Sequence, residues 1–509
     1  MVSKIQSAAL VGVDGIPVEV EVQTSRGTPQ IDLVGLPELA VRESRVRVRS
    51  AIRQSGFEFP NARVVVNLAP ADLRKDGSCF DLPIALGVLS CTGSLPASLT
   101  DGWVVVGELS LGGAVRPVRA VLAFAEMAKA MGARGLLCAT QNVGQARLVP
   151  GLDVRGIDSL KEAAAALEAS SWHSAAHEAI VVDCSSTACW SDVLGQPVAK
   201  RAIEVAAAGG HNICMVGTPG TGKTMLARRM TTILPPMSAT EALTVTKIHS
   251  VAGLLSPGSS WVAERPFRSP HHTSSAGSMV GGGSYPKPGE VSLAHRGVLF
   301  LDELPEFARS VLETLRQPLE DGVVTISRAR QVVRFPSRTM LVAALNPCAC
   351  GWLGSPVRFC ECSSYQRQRY RARLSGPMLD RMDIQISLMP LAPDTFRVAQ
   401  RGERSSEVRR RVVQAREIQA ERFGQEQTNA EVPFRILRTK SPLHPEVHNT
   451  LLSAMRRLGL SPRAHDRIWR VARTIADLDE SEEIGMAHIA ESLNYRHFDE
   501  ARVSQRVQV

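Results

Sequence analysis

The sequence predicts an α/β protein with more than one domain. A chain of 509 residues is too long for one hydrophobic core, so two to four domains are expected. An apolar strand, Ile213 to Val216, leads into a glycine-rich turn, and a helical pattern follows from about Met225. Two later apolar strands, Gly297 to Leu301 and Met340 to Leu345, each end in polar residues. This alternation of strands and helices indicates a central α/β domain.

The first part of the chain, residues 1–168, has a mixed α+β pattern and forms one unit. Val18 to Val22 alternates apolar and acidic side chains, as a half-buried strand does. Further strands are predicted over Arg63 to Leu68 and Trp103 to Gly107, and helices over Leu82 to Leu89 and Val121 to Met131. Residues 169–191 are polar, rich in serine and alanine and low in periodicity, which predicts a linker.

Two further regions follow the linker. The central α/β domain covers residues 192–392. The rest of the chain, residues 393–509, is predicted to be a helical lid with a charged helix over Glu407 to Arg422. Its last part resembles a small helical bundle, because apolar side chains recur on one face. These side chains are Ile468, Val471, Ala472, Ile475 and Leu478.

Composition excludes several classes of protein. Hydrophobic residues make up 44% and charged residues 21%, and no apolar run could span a bilayer, so no membrane partner is expected. The first residues lack the cationic and apolar segments of a secretory signal. Ten cysteines in a chain of this length therefore indicate a reducing cytoplasmic location rather than a disulfide scaffold. The net charge of +9 is compatible with a polyanionic partner.

The glycine-rich turn fits the phosphate-binding loop G-x-x-x-x-G-K-[ST] at every required position. It consists of Gly217, Thr218, Pro219, Gly220, Thr221, Gly222, Lys223 and Thr224. Glycines let backbone N–H groups converge on phosphates, and the following helix points its positive end at them. Lys223 can reach the β- and γ-phosphates, and the Thr224 hydroxyl can ligate Mg²⁺. The sequence therefore predicts ATP and Mg²⁺ as cofactors.

A pair of acidic residues follows the strand Gly297 to Leu301. Asp302 is predicted to hold Mg²⁺, directly or through water, and Glu303 to polarise the attacking water. A strand that ends in a polar turn is common in proteins. Together with the phosphate loop, however, the adjacent acids favour hydrolysis over nucleotide binding alone.

Three more polar residues resemble parts of AAA+ ATPases. Asn346 follows the next strand, as the residue called sensor 1 does, and could orient the lytic water. Arg381 lies in the motif L-D-R-M-D, which resembles the arginine finger of the chelatase and MCM branch. Arg463 opens a C-terminal helix, as sensor 2 does in that branch; a surface ion pair is the alternative for each arginine. A finger that reaches the γ-phosphate of a neighbouring subunit implies a ring.

With these motifs, the chain from about Asp192 to Asp499 resembles the magnesium-chelatase-type AAA+ fold. Two N-terminal segments, Lys75 to Leu86 and Gly107 to Gly113, are similar to the Lon-protease-like domain fused to that ATPase in the ComM/YifB family. The chain is thus identified, by resemblance, as a member of that family. Known members act as ring-shaped branch-migration helicases, so the resemblance implies a hexamer that moves on branched or single-stranded DNA during recombination.

The same resemblance argues against a peptidase. Lon-type proteases use a Ser–Lys dyad, and the two positions fall here on Cys79 and Leu122. A thiol nucleophile would need a base, which leucine cannot supply. Residues 1–168 are therefore predicted to have a Lon-like fold without peptidase chemistry and a role in assembly or substrate contact, with Cys79 as a small buried residue.

Two basic segments bear on the substrate. Strands over Val323 to Ile326 and Val332 to Phe335 predict a hairpin, and in MCM-like rings a hairpin at this place faces the pore and touches DNA. Arg328 and Arg330 near its tip could contact phosphates, although a solvated turn is equally compatible. Further on, four arginines with an interleaved tyrosine could line a strand path or form a solvated helix face. They are Arg367, Arg369, Tyr370, Arg371 and Arg373.

Two other functions stay open at this stage. A chelatase-type ATPase subunit would assist Mg²⁺ insertion into a porphyrin, but such subunits lack the Lon-like domain. A protein-remodelling ATPase would carry an aromatic pore loop, for which Phe267 and Tyr285 are candidates. Salt-sensitive DNA binding separates these classes, because phosphate contacts weaken with ionic strength.

Four cysteines cluster between the sensor 1 asparagine and the finger arginine. They are Cys348, Cys350, Cys360 and Cys362. The two C-x-C pairs could converge on a tetrahedral Zn²⁺, although C-x₂-C is the commoner spacing and four reduced thiols or a redox-sensitive pair are alternatives. We favour a structural zinc that stiffens this link. The adjacent His271 and His272 are expected to contact phosphate, water or backbone, and are not included as ligands.

Overall fold

The computed structural model of the chain describes residues 2–73, 75, 77–169, 188–255, 261–283, 286–328, 331–373, 376–391, 402–424 and 427–496. Three units follow one another: a seven-stranded sheet with its helices, a five-stranded parallel sheet with its helices, and a set of C-terminal helices. The predicted α/β class is thereby confirmed. None of the described helices is both long and apolar enough to cross a lipid bilayer.

The N-terminal unit contains a seven-stranded sheet with the order β3-β4-β2-β1-β5-β8-β9. Its strands are β1 Val2–Val11, β2 Asp14–Ser25, β3 Ile31–Val34, β4 Arg63–Ala69, β5 Trp103–Val105, β8 Gly135–Ala139 and β9 Asp153–Ile157, and the short pair β6 Glu108–Leu109 and β7 Val115–Arg116 stands apart. Its helices are α1 Leu39–Gln54, α2 Asp81–Cys91, α3 Val121–Ala130, α4 Val143–Ala146 and α5 Leu160–Glu168. β1 and β2 form an antiparallel hairpin, and the valines of the predicted alternation in β2 are fully buried.

The central unit is a five-stranded parallel sheet with the order β11-β14-β17-β10-β18. Its strands are β10 Ile213–Gly217, β11 Phe267–Arg268, β14 Val298–Leu301, β17 Met340–Leu345 and β18 Ile384–Leu388. Its helices are α6 Pro197–Gly209, α7 Lys223–Ile233, α8 Ala239–Ala252, α9 Ala276–Val280, α10 Glu290–Leu293, α11 Arg309–Thr314, α12 Arg316–Asp321, α13 Ser364–Ala372 and α14 Gly376–Leu379. Every residue of β10, β14 and β17 is buried, as expected for parallel strands covered on both faces. All carboxyl ends of these strands lie at one edge of the sheet, and all amino ends at the other.

Two hairpins are inserted between the strands of this sheet. The short one pairs β12 Gly281–Gly282 with β13 Lys287–Pro288. The longer one pairs β15 Val323–Arg328 with β16 Gln331–Pro336, at the place where the sequence predicts a hairpin. Arg330 and the side chain of Arg328 lie outside the described residues, as does Tyr285.

The C-terminal unit is helical, as predicted. Its helices are α15 Ser405–Phe423, α16 Phe434–Lys440, α17 Pro445–Leu458, α18 Pro462–Leu478 and α19 Met486–Asn494. One face of α18 is buried through Ile468, Ala472 and Ala476, which pack with Leu437 and Leu451 of the neighbouring helices. Another face of α18 contributes to the core of the parallel sheet, so the lid and the central unit share packing.

The turn between β1 and β2 packs against the central unit. Val13 lies in one buried cluster with Val324, Val333 and Phe335 of the β15–β16 hairpin. Lys247 of α8 adds two ion pairs to the N-terminal unit, at 2.8 Å from Asp14 and 2.6 Å from Glu126. The described part of the long hairpin therefore packs against the N-terminal unit.

One part of the predicted linker belongs to the central unit instead. Trp190 is 2% exposed and packs in the core of the parallel sheet, and its backbone N–H donates to the Ser405 hydroxyl at 2.8 Å. A large apolar ring gains more from burial there than a linker position would allow. Of the rest of the predicted linker, residues 170–187 lie outside the described residues.

The two dyad positions of the N-terminal unit are both in its core. Cys79 is buried and its thiol lies 3.6 Å from the carbonyl oxygen of Ala8, to which it donates. Leu122 is fully buried on α3. A buried thiol without a base at the second position offers no nucleophile to a peptide bond. The Lon-like ancestry of this unit stays a prediction.

Candidate nucleotide-binding site

The phosphate loop lies at the carboxyl edge of the parallel sheet. β10 ends at Gly217 and α7 begins at Lys223, so the loop connects a buried strand to the N-terminus of a helix. Gly220 and Gly222 have φ angles of +81° and +89°, a left-handed backbone that other residues adopt only with strain. The Thr221 hydroxyl donates to the carbonyl oxygen of Thr218 at 2.8 Å and closes the turn. The loop thus has the curvature that gathers backbone N–H groups around an anion.

The ammonium group of Lys223 lies inside this loop. Its Nζ donates to the carbonyl oxygens of Gly217 at 2.5 Å and Thr218 at 3.0 Å, and to Oδ1 of Asn346 at 3.1 Å. Burial lowers the pKa of Lys223, and the negative charges of Asp302 and Glu303 offset part of this effect. Asn346 follows β17, the strand next to β10, so the sheet order alone brings the amide to the loop.

Two oxygen donors for a divalent cation are paired beside the loop. The Thr224 hydroxyl donates to Oδ2 of Asp302 at 2.9 Å, and the other carboxylate oxygen of Asp302 accepts from the backbone N–H of Glu303 at 2.9 Å. A hydroxyl and a carboxylate are hard oxygen ligands of the kind that Mg²⁺ prefers. Both side chains fit the cation that accompanies a nucleoside triphosphate at such a loop.

Glu303 occupies an uncommon backbone conformation next to a histidine. Its φ is +52°, in the left-handed region, and its side chain is half exposed at the open side of the loop. Nδ1 of His272 lies 3.5 Å from Oε2 of Glu303. The centre of the His272 ring lies 4.1 Å from the centre of the His271 ring and 6.5 Å from that of Phe307. The rings of His272 and Phe307 are nearly perpendicular. His272 was expected to contact phosphate, water or backbone; its contact with Glu303 could not be predicted, because no spacing rule links residues that follow β11 and β14.

A second charged site lies at the opposite edge of the same sheet. A cavity of about 450 Å³ is lined there by residues at or just before the amino ends of four strands. These are Asn212, Gly297, Met340 and Asp383. Both predicted arginines, Arg381 and Arg463, also line this cavity. Since β10 spans the sheet from Ile213 to Gly217, about 15 Å of strand separates the cavity from the phosphate loop of the same chain.

The cavity concentrates arginines around Arg381. The guanidinium of Arg381 is paired with Glu320, and the residue as a whole is 6% exposed. Burial lowers the pKa of Arg381, Glu320 raises it, and the nearby positive charges of Arg316, Arg463 and Arg467 lower it further. Several cations held together in one cavity are suited to an anion that carries more than one charge.

Asp383 fixes the two arginine-bearing elements relative to each other. Its carboxylate accepts from Nη1 of Arg467 at 3.0 Å and from the backbone N–H of Asn212 at 3.1 Å. Burial would raise the pKa of Asp383, but the positive charge of Arg467 and the contact with His211 hold it well below its usual range. Arg467 is one turn of α18 after Arg463, so this carboxylate ties the start of β18 to the helix that presents Arg463.

Family models match most of the chain. The model described as "Magnesium chelatase, subunit ChlI" matches residues 189–396, "Subunit ChlI of Mg-chelatase" matches 20–142, and "Magnesium chelatase, subunit ChlI C-terminal" matches 402–496. Competence protein ComM of Haemophilus influenzae is 44% identical over 500 residues, which cover 97% of each chain. YifB of Escherichia coli is 43% identical over 500 residues, or 98% of this chain and 97% of that protein, and YifB of Salmonella typhimurium is 43% identical over 501 residues and 97% of each. The chain belongs to the ComM/YifB family.

Membership of the ComM/YifB family indicates which class of nucleotide-binding protein the site belongs to. The chain is a magnesium-chelatase-like protein of the AAA+ ATPase type, and this class implies ATP and Mg²⁺. The family resemblance predicted from the sequence is confirmed over almost the full length.

A second donor set in this ComM/YifB-family chain adjoins the phosphate loop. Sγ of Cys348 lies 3.4 Å from Sγ of Cys350 and 3.6 Å from that of Cys360, and the latter two are 3.7 Å apart. With Cys362, the four sulfur atoms lie within 4.8 Å of one another. Ligands about 2.3 Å from a tetrahedral zinc ion stand about 3.8 Å apart, so this set fits Zn²⁺.

The loop that carries the cysteines packs directly on the phosphate loop. Gly351 has a φ of +83°, and a Cβ atom there would lie 2.9 Å from the ring of Pro219. We refer to residues 348–362 as the cysteine loop. The cysteine loop therefore contacts the phosphate loop through Gly351 and Pro219.

The aromatic residue predicted to interleave with arginines has a different role. Tyr370 is 6% exposed, and burial raises the pKa of its phenol to about 12. Its hydroxyl oxygen accepts a hydrogen bond from the backbone of Asn346, so Tyr370 helps to position that residue. The prediction that Tyr370 lines a strand path is therefore wrong. Arg373 is likewise engaged, at 2.8 Å from Glu306, whereas Arg369 and Arg371 are exposed.

Proposed function

We propose that this chain assembles into a ring, most simply a hexamer, in which ATP hydrolysis drives movement on DNA, with branch migration during recombination or natural transformation as its role. The observation that carries the proposal is the distance between the phosphate loop and the arginine-lined cavity within one chain. The phosphate loop is at the carboxyl edge of the sheet, and the Arg381 cavity is at the amino edge. One chain cannot bring both to the same nucleotide, but neighbouring chains in a ring can.

Each residue at the carboxyl edge then has one task. The loop from Gly217 to Lys223 holds the phosphates, and Thr224 and Asp302 hold Mg²⁺, which would neutralise charge on the β- and γ-phosphates. Glu303 activates the attacking water and Asn346 orients it. The contacts of Lys223 with Asn346 and of Thr224 with Asp302 support these tasks.

The arginines of the amino edge act on the nucleotide of the neighbouring chain. Arg381 and Arg463 stabilise the charge that develops on the transferred phosphoryl group. An arginine suits this role because it stays charged and can bind phosphate through two N–H groups. The ion pair of Arg381 with Glu320 would have to open as the neighbour docks.

DNA as the substrate is supported by the hairpin and by the relatives. In the sequence, Arg328 is the last residue of β15 and Arg330 directly precedes β16, and the chain carries a net charge of +9. One relative is named as a competence protein, a term for DNA uptake. The chelatase and protein-remodelling alternatives predict no salt-sensitive DNA binding, so one measurement separates them. We also propose a cytoplasmic location, because none of the nine described cysteines is part of a disulfide bond.

Replacing Arg328 and Arg330 together with alanine is expected to weaken DNA binding by about tenfold or more at moderate salt, since two phosphate contacts are lost. The slope of log affinity against log salt should become shallower by about two. Fluorescence anisotropy of a labelled forked DNA over a salt series measures both. Arg435→Ala with Arg438→Ala, two exposed arginines of α16, is the matched control. The basal ATP turnover of the hairpin variant should stay unchanged. An unchanged DNA affinity in this variant would remove the hairpin from the proposal.

We propose further that the cysteine loop holds a structural Zn²⁺ through Cys348, Cys350, Cys360 and Cys362. Protein purified without a histidine tag should contain about one zinc per chain by plasma mass spectrometry. Cys350→Ser with Cys360→Ser should lose the metal, because two of four thiolates are gone. Cys91→Ser, at a half-buried thiol of the N-terminal unit, should keep it. A parent protein without stoichiometric metal ends this idea.

A further inference from the structure

We infer that Phe359 of the cysteine loop, together with Tyr365 at the start of α13, forms a stacking surface for single-stranded DNA. The inference rests on the proposed function and adds a second DNA contact, separate from the hairpin. It assigns a role to Phe359 and Tyr365, neither of which the sequence analysis singled out.

The exposure of these rings is the first observation. Phe359 is 93% exposed, the highest value for any large apolar side chain among the described residues, and Tyr365 is 70% exposed. Val357 beside them is 79% exposed. Single exposed apolar side chains need no explanation, but three within nine residues of one segment are a concentration that favours a binding surface.

The charge around the rings selects the partner. From Cys348 to Arg373 the chain has five arginines and one acidic residue. That acid, Glu361, is paired with Arg358 at 3.0 Å, and the Arg358 guanidinium lies 5.7 Å from the centre of the Trp352 ring. Exposed aromatic rings in a segment that also exposes Arg369 and Arg371 suit a polyanion with flat bases better than an apolar protein face.

The geometry favours a single strand over a duplex. Tyr365 and Arg369 are four residues apart in α13 and therefore share one face of the helix. A base on the ring and a phosphate on the arginine can be met at once by a strand whose bases are unstacked. In a duplex the base faces are already covered by their neighbours, so only the backbone is available.

The surface is also held in place, which lowers the entropy lost on binding. The convergent sulfurs fix both ends of the segment that carries Phe359. Directly after it, Ser363 and Gln366 cap α13 reciprocally, at 3.2 Å and 2.9 Å. Because Gly351 of the same loop contacts Pro219, a strand bound here would also be sensed at the phosphate loop.

The test is the full-length variant Phe359→Ala with Tyr365→Ala. Its affinity for a labelled 30-nucleotide oligo-dT, measured by anisotropy, should fall by about tenfold or more, since stacking of two bases is lost. The salt slope should stay unchanged, because no phosphate contact is removed. Phe359→Trp with Tyr365→Phe keeps the rings and should keep the affinity. Val46→Ala with Met131→Ala, at exposed apolar residues of the N-terminal unit, is the matched control.

Three results would overturn the inference. The first is an unchanged oligo-dT affinity in the double alanine variant. The second is an equal loss on fully paired DNA, which would show a backbone contact rather than stacking. The third is that the double alanine variant no longer forms the oligomer in native mass spectrometry, which would make these residues a contact between copies of this chain. A parent protein that binds no DNA at all would instead refute the proposed function itself.

Discussion

Arg381→Ala is expected to reduce ATP turnover by roughly 10³-fold or more while leaving nucleotide binding nearly intact. The reason is the position of Arg381 at the amino edge of the sheet, one strand length from the phosphate loop of its own chain. The variant keeps every residue proposed to hold the nucleotide and loses the group proposed to stabilise charge on the neighbour's γ-phosphate. Phosphate release and equilibrium binding of a fluorescent ATP analogue measure the two properties separately.

Mixing two inactive variants is the sharpest control for this prediction. Lys223→Ala removes the ammonium group from the phosphate loop and should abolish turnover by itself, because the phosphates lose their main cationic contact. In a mixed ring, an Arg381→Ala chain presents an intact phosphate loop to the intact Arg381 of a Lys223→Ala chain. Turnover should therefore reappear on mixing and follow the proportion of the two chains. Mixtures that stay as inactive as their components would contradict a shared site.

Glu303→Gln should bind ATP and assemble normally but turn over about 10²–10⁴-fold more slowly, since the amide cannot accept a proton from water. The substitution preserves the size of the side chain and a hydrogen-bonding oxygen, so the left-handed backbone at this position is not disturbed. Rapid filtration should recover stoichiometric unhydrolysed ATP from the protein after minutes of incubation. The variant would then be a stable ATP-bound ring.

Glu306→Gln serves as the matched control for Glu303→Gln. Glu306 lies in the same turn, but its carboxylate faces Arg373 at 2.8 Å rather than the phosphate loop. This variant should turn over at close to the parental rate. Normal turnover in Glu303→Gln, or an equal loss in both variants, would refute the role given to Glu303.

The residues at the carboxyl edge of the sheet could be predicted from the sequence, because each is marked by a short pattern at the end of one strand. An apolar strand followed by a polar residue is visible in the sequence, and parallel strands place their carboxyl ends together. Asp302 and Asn346 therefore lie near Lys223, because β17 is next to β10 and β14 is next to β17 in the sheet. The valines of β2 were predictable in the same way, from alternation alone.

Features that depend on how separate elements dock were not predictable. The motif around Arg381 gives no sign of which sheet edge it occupies, since this follows from the place of β18 beside β10 and from the packing of α18. Trp190 was assigned to a linker because its neighbours in the sequence are polar. Tyr370 and Phe359 both lie in basic segments, and only the fold decides that the first is buried behind Asn346 and the second exposed.

The buried cluster between Val13 and the long hairpin has a mechanical consequence. Val324, Val333 and Phe335 are shielded from water on the side of the hairpin that meets the β1–β2 turn. A displacement of the hairpin during a hydrolysis cycle must therefore carry the first domain along or shear this apolar contact. In the proposed cycle the N-terminal unit would therefore restrain the hairpin, and a chain cut down to its ATPase would expose this apolar side of the hairpin to water.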